Sequence, residues 1–228
     1  MPFADPSPTP ADISFRLFGM PIRIHPFFWL IAVLLAPFKQ PYAVLIWAVA
    51  MLVSIVIHEL GHALLQRYWG GQPRIVLYGF GGLAISDGVR ITPWRQVAIS
   101  LAGPFAGFIL AAGVWLVGQG SFELPPTVNL LLQFMLLINI FWGIFNLLPI
   151  YPLDGGQVAR ELFTLVLKPE TGIVVSLWVS IFFCAAAAAG LWLWTQSLWN
   201  LILMAGLGFN NYQTLEAYRN ARRGYYRS

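Results

Sequence analysis

His58-Glu59-Leu60-Gly61-His62 puts two imidazoles and a carboxylate within five residues, inside Tyr42–Leu65, a run that is otherwise almost wholly apolar. A helix turns about 100° per residue, so His58 and His62 project from one face a turn apart. In that setting two histidines grip one zinc ion while the neighbouring Glu59 handles a proton. The apolar surroundings sharpen the reading, because ionisable groups in hydrocarbon are costly and persist where they face a cavity, a partner or a metal. The plain alternative is a helix with an accidental polar patch.

A catalytic zinc takes three protein ligands and leaves one position open for water. The remaining histidine, His25 in Ile22-Arg23-Ile24-His25-Pro26, reads as interfacial or structural. Acidic residues beside an apolar stretch reduce mainly to Asp154, with Glu161 further along. Pro149 and Pro152 stop a helix just before Asp154, and Gly155-Gly156 after it allows close backbone approach. Broken backbone at membrane depth is tolerated where protein or a wet cavity surrounds it. Asp154 therefore reads as the third ligand or as a helix N-cap, with Gln157 completing a capping box, and the two roles are compatible. Asn139 and Asn146 are seven apart and share one side of a helix. Asn139 is expected to act as interhelical glue. Asn146 is either glue or an amide donor aimed at a substrate carbonyl or developing oxyanion.

These residues must be positioned by membrane helices. Of the 228 residues, 58% are hydrophobic and 10% charged, well beyond a soluble domain's apolar share. Six apolar stretches stand out: Pro26–Phe38, Tyr42–Leu65, Trp94–Val117, Thr127–Leu148, Gly172–Trp194 and Ser197–Leu215. The last five reach or approach the roughly 20 residues that span a bilayer. With six spans and a cytoplasmic amino terminus, Arg16, Arg23, Arg67, Arg74, Arg90, Arg95, Arg160, Lys168, Arg219, Arg222, Arg223 and Arg227 fall inside and Lys39 outside. The positive-inside rule thus predicts a multi-pass protein of the cell membrane with both termini cytoplasmic. His58, nine residues before Arg67, then lies roughly 14 Å below the cytoplasmic surface. The expected fold is all-α and polytopic, with about six transmembrane helices and a short re-entrant β-hairpin or loop over Arg74–Arg90. The expected divisions are an interfacial amino-terminal segment (1–25), a membrane core (26–217) and a short basic cytoplasmic tail (218–228).

The net charge of +4 forms no basic stripe on a soluble fold, which excludes nucleic acid as a partner. The first apolar stretch comes too late and is too poorly flanked to resemble a cleaved signal peptide, because Met1–Asp12 is polar, proline-rich and lacks a basic start. The single cysteine, Cys184, excludes an internal disulfide and a thiolate zinc cluster, and reads as a packing residue.

Together, His58-Glu59-Leu-Gly-His62 and Asn146-x-x-Pro149-x-x-Pro152-x-Asp154-Gly155-Gly156 resemble the site-2 protease family of intramembrane zinc metalloproteases. The likeness extends to Arg23-Ile-His25-Pro26, Gly79-Phe80-Gly81-Gly82 and Ser100-Leu-Ala-Gly103-Pro104-Phe-Ala-Gly107. It is to a minimal form, with room for neither a PDZ domain nor paired CBS domains. The resemblance implies one zinc per chain held by His58, His62 and Asp154, with Glu59 as general base and acid and Asn146 assisting the substrate carbonyl. The implied partners are the bilayer and a transmembrane protein substrate, with Arg74–Arg90 touching that substrate. A divalent-metal transporter or a non-catalytic membrane scaffold are the rival readings. A transporter would show repeated halves, and a scaffold would not need the motif intact.

Overall fold

The computed structural model describes residues 6–37, 40–79, 81–88, 92–120 and 123–225, so Lys39, Phe80, Arg90 and Arg227 lie outside the described residues. The chain divides into two compact units, one built from its amino-terminal part up to residue 91 with residues 101–144, the other from residues 92–100 and 145–228. The long helices α3 (Pro93–Gly118) and α4 (Pro126–Asn146) each run through both.

The first unit contains a four-stranded sheet ordered β1-β2-β3-β4. Strands β1 (Ile13–Leu17) and β2 (Met20–Ile24) form an antiparallel hairpin. Its turn residues, Phe18 and Gly19, both have positive φ, as a two-residue hairpin loop with the right-handed strand twist requires. The Nη1 group of Arg67 donates to the Phe18 carbonyl (2.6 Å) and ties that turn to the end of α2. Strand β2 pairs in parallel with β3 (Gln72–Tyr78), which pairs antiparallel with β4 (Gly81–Asp87). The hairpin expected within Arg74–Arg90 is therefore present, and two further strands extend it into a sheet.

Helix α2 (Pro41–Tyr68) has 28 residues and is about 42 Å long. Gly82 lies against Glu59, and Gln66 donates to the Ala84 carbonyl (3.1 Å), so β4 runs alongside the carboxyl-terminal part of α2 and in the same direction. Leu77 is paired with Gly82, and the His25 amide donates to the Leu77 carbonyl (2.9 Å), so β2 ends at the level of Glu59. Helix α1 (Pro26–Leu34) starts there. Its nine residues rise only about 13 Å, so the first apolar stretch is a short helix that continues from a strand. Met20, Ile22, Ile24, Phe28, Met51, Ile55, Leu60, Ile75 and Leu77 belong to the core of this unit. Asn139 donates to Ser54 Oγ (2.8 Å) and to the Met135 carbonyl (2.7 Å), the interhelical role expected of it.

The second unit consists of the adjoining ends of α3 and α4, the turn 147–153, α5 (Asp154–Val166), α6 (Pro169–Thr195) and α7 (Leu198–Tyr225). Cys184 is buried in α6 and faces Gly208 of α7, a packing position.

Among the described residues four helices, α2, α3, α4 and α6, are long and apolar enough to cross a membrane. Helix α7 has the length, but Asn200, Asn210, Asn211 and Gln213 lower its hydropathy. The all-α expectation becomes a mostly helical fold with a small mixed sheet, and four of the six expected crossings fall on these helices.

Candidate metal centre

The motif of α2 is enclosed, with His58, Glu59 and His62 4, 5 and 7% exposed. Their ligand atoms lie within 4.8 Å of one another, a grouping able to hold a metal ion. The two Nε2 atoms are 3.2 Å apart and the rings stand edge to face, with centroids 4.9 Å apart. Two nitrogens sharing a tetrahedral ion at 2.0–2.1 Å stand about 3.3–3.4 Å apart, so the donor pair fits zinc.

Three glycines from three elements make room for these groups. Gly61, within the motif, lies so close to the Ala102 carbonyl that a Cβ there would overlap it, which brings α2 and α3 into backbone contact. Gly103 of α3 faces both imidazoles: a Cβ at this position would overlap His62 Nε2, and would stand 2.5 Å from His62 Cε1 and 2.8 Å from His58 Nε2. The missing side chain lets the α3 backbone close directly on the two imidazoles. On another side, a Cβ at Gly82 would overlap Glu59 Cγ and stand 2.6 Å from its Cδ and 2.8 Å from Oε1. Strand β4 thus confines the carboxylate while α3 confines the imidazoles.

The other expected site residues belong to the second unit. Asn146 is the last residue of α4 and Asp154 the first of α5, and both are buried, at 8 and 7% exposure. The turn between them folds back tightly, since a Cβ at Gly155 would overlap the Leu147 carbonyl and one at Gly156 would overlap the backbone of Ile150 and Tyr151. Asp154 is not the N-cap: Leu153 occupies that position, and no side-chain cap bond is made. A carboxylate in the first helical turn still suits the helix dipole. Gln157 does not close a capping box. It donates to the Pro152 carbonyl (3.2 Å) and accepts from Gln96 Nε2 (2.8 Å).

His25 has a structural job. Its Nδ1 accepts from the Phe27 amide (3.1 Å) as the N-cap of α1, and its ring packs edge-on against Tyr78 at 4.9 Å. Glu161 is partly buried, and burial raises its carboxyl above the usual value, opposed by Arg160. Gly82 and Gly103 occur in the motifs quoted above, but nothing in their spacing reveals that they abut the site. Their only signal is the absence of a side chain.

The arrangement defines a class: a helical protein with membrane-length helices, a His-Glu-x-x-His group enclosed on one of them, and a strand laid against the glutamate. The profile of peptidase family M50 matches residues 46–130 and 124–189, and the chain belongs to that family. A zinc metalloprotease of Methanocaldococcus jannaschii is 32% identical over 154 residues, which are 66% of this chain and 44% of that one. Stage IV sporulation protein FB of Bacillus subtilis is 32% identical over 171 residues, which are 72% and 54% of the respective chains. This chain therefore spans about half the length of these relatives. The solved structure of a site-2 protease from Methanocaldococcus jannaschii superposes with a TM-score of 0.64 at 24% identity, covering 90% of this chain and 95% of that one, a likeness of fold.

Proposed function

We propose that this chain is a zinc-dependent endopeptidase of the cell membrane that hydrolyses a peptide bond within or near a transmembrane helix of a membrane-protein substrate. The observation that carries the reading is the pair of imidazole nitrogens 3.2 Å apart, with Glu59 confined beside them, on a helix apolar enough to cross a membrane.

His58 and His62 would hold one zinc, with Asp154 of the Asn146–Gly156 motif as the third ligand. When bound, zinc would supply Lewis acidity, lowering the pKa of water from 15.7 to about 7 and polarising the scissile carbonyl. Glu59 takes the proton of the attacking water and returns it to the leaving amine. Asn146 donates its amide to the carbonyl oxygen as negative charge develops there. A helical substrate hides its carbonyls in its own hydrogen bonds and must unwind before it is cut, so helix-weak residues near the cut favour cleavage. Strand β4, at the edge of the sheet and against Glu59, offers the unwound segment a partner strand.

The topology belongs to the same reading. Helix α1 begins the first passage, α7 provides the last, and both termini are cytoplasmic, a topology that the sorting of lysines and arginines supports. The division into an interfacial amino-terminal segment, a membrane core and a basic tail from residue 218 follows from that topology.

The test uses the full chain in lipid vesicles with a model single-pass substrate. Glu59→Gln is expected to abolish cleavage while retaining one zinc per chain, because the glutamate of this motif does chemistry without ligating. Persistent cleavage in that variant, or a folded Glu59→Gln protein without zinc, overturns the assignment. Divalent-cation uptake unaffected by Glu59→Gln would point to the transporter instead.

A further inference from the structure

We propose that Tyr151 is the anchor that sets the position of Asp154, and that Asn211 of α7 and Ser180 of α6 are positioning residues acting through it. This rests on the reading of Asp154 as a metal ligand. Tyr151 lies three residues before Asp154 and is fixed at three points. Its amide donates to Ser180 Oγ (2.9 Å), its carbonyl accepts from Asn211 Nδ2 (2.5 Å), and the Arg160 guanidinium lies over its ring, 3.7 Å from the centroid. Ser180 is itself oriented by donating to the Ser176 carbonyl (2.8 Å).

Asn211 is fully buried. Its Nδ2 also donates to the Leu207 carbonyl (2.8 Å), but its Oδ1 has no hydrogen-bond partner among the described residues. A buried amide with an unused acceptor is a poor choice for packing alone. Its donor, however, reaches a carbonyl in a turn that has no helical ladder of its own. From Tyr151 the restraint passes to the aspartate as through one body, because the backbone of Ile150 and Tyr151 is pressed against Gly156, and Leu147 against Gly155. The Gln157 bond to Pro152 closes the same turn. Metal ligands tolerate misplacement of only about 0.2 Å, so slack at Tyr151 becomes lost affinity at Asp154.

The experiment measures zinc affinity of the full-length protein in detergent by chelator competition, together with the visible absorption of its cobalt(II) form. Asn211→Leu and Ser180→Ala are each expected to weaken zinc binding by roughly 10- to 100-fold, the scale for groups that support a ligand, and to change the cobalt spectrum. Ser180→Thr keeps the hydroxyl and restores both. In an Asp154→Asn background, Asn211→Leu is expected to cause no further loss, since the two changes act on one ligand. Asn139→Ala removes a buried amide of the first unit and is expected to lower the unfolding midpoint without moving zinc affinity. Native affinity and an unchanged cobalt spectrum in folded Ser180→Ala overturn the anchor, and do so whether or not Asn211→Leu folds. Native zinc affinity in Asp154→Asn overturns the ligand reading beneath it, which separates the two failures.

Discussion

Replacing Gly103 by alanine presses a methyl group against the two imidazole rings. Built on the existing backbone, that carbon stands 2.8 Å from His58 Nε2 and 2.5 Å from His62 Cε1, whereas ordinary contact begins at 3.4 Å. The His58 ring would have to retreat by about 0.6 Å and the His62 ring, whose Nε2 the methyl overlaps, by more than about 0.9 Å, several times the 0.2 Å or so that a metal ligand tolerates. The helices can part instead, but then the backbone contact of Gly61 with Ala102 opens, and overpacking of this kind costs about 1–3 kcal/mol. Gly103→Ala is therefore expected to stay folded with a lowered unfolding midpoint, and to bind zinc at least about 100-fold more weakly, the upper end for losing only a supporting group. The assay is chelator competition with metal analysis of the purified protein. Gly113→Ala on the same helix, where a Cβ would meet nothing within 4 Å, serves as the control and should bind zinc normally. The strand side should give the opposite split. In Gly82→Ala the methyl displaces Glu59 and not the imidazoles, so zinc stays while turnover falls by about 10²–10⁴, the range for losing a positioned general base. One zinc bound at native affinity in folded Gly103→Ala would refute the reading that the bare α3 backbone at Gly103 keeps the two imidazoles in their ligating positions.

Asn146→Ala is expected to lower turnover by about 10²–10³ with zinc content and unfolding midpoint nearly unchanged, the loss for one oxyanion donor; near-native turnover in the folded, zinc-loaded variant would reduce Asn146 to packing. Outside the membrane-length helices, Asp12 accepts from Thr9 Oγ1 (2.6 Å) and Arg23 Nη1 (2.8 Å), and these bonds, that of Thr9 first, lower its pKa from 3.8 to about 2. A carboxyl depressed in the folded state contributes stability that is present above its unfolded pKa and is lost as pH falls through the folded one. Acidification from about pH 4 to pH 2 should therefore weaken the seating of the amino-terminal hairpin, and Asp12→Asn should flatten that part of the unfolding-midpoint curve; superimposable acid limbs would contradict it.

The legibility of this chain follows the range of the interactions involved. His58, Glu59 and His62 are one helical turn apart, so spacing alone groups them, and the apolar run around them marks the helix. The β3–β4 hairpin could be read because Gly79 to Gly82 interrupts two strand-like runs. The β1–β2 hairpin is not legible, since its strands have only five residues each and its turn is Phe18-Gly19, with no Asn-Gly or Asp-Gly signal. The limits of Pro26–Phe38 are illegible for the same reason: the chain enters α1 directly from a strand, whose pairing with β3 is a tertiary fact. Asp154 followed by Gln157 three residues on fits the capping-box pattern, yet the helix starts one residue earlier than that pattern assumes, and Gln157 turns to Pro152 and Gln96. Asn211, 57 residues beyond Asp154, shows no sequence relation to it at all.

A polar centre inside an apolar helix must be walled off without offering it competing ligands, and backbone lined by glycine does this. A side chain at position 103 would push the two imidazoles aside, and one at 82 would push the carboxylate aside. The second clearance also bears on how a substrate arrives. Because Gly82 has no side chain, the β4 backbone lies directly on Glu59, and β4 is the edge of its sheet. A strand added there would run about 4.8 Å from the β4 backbone, keeping its peptide bonds close to Glu59, the proposed base. Under the proposed activity, the unwinding of a helical substrate would then be offset by the hydrogen bonds the edge supplies, and the element that confines Glu59 would also present the bond to be cut.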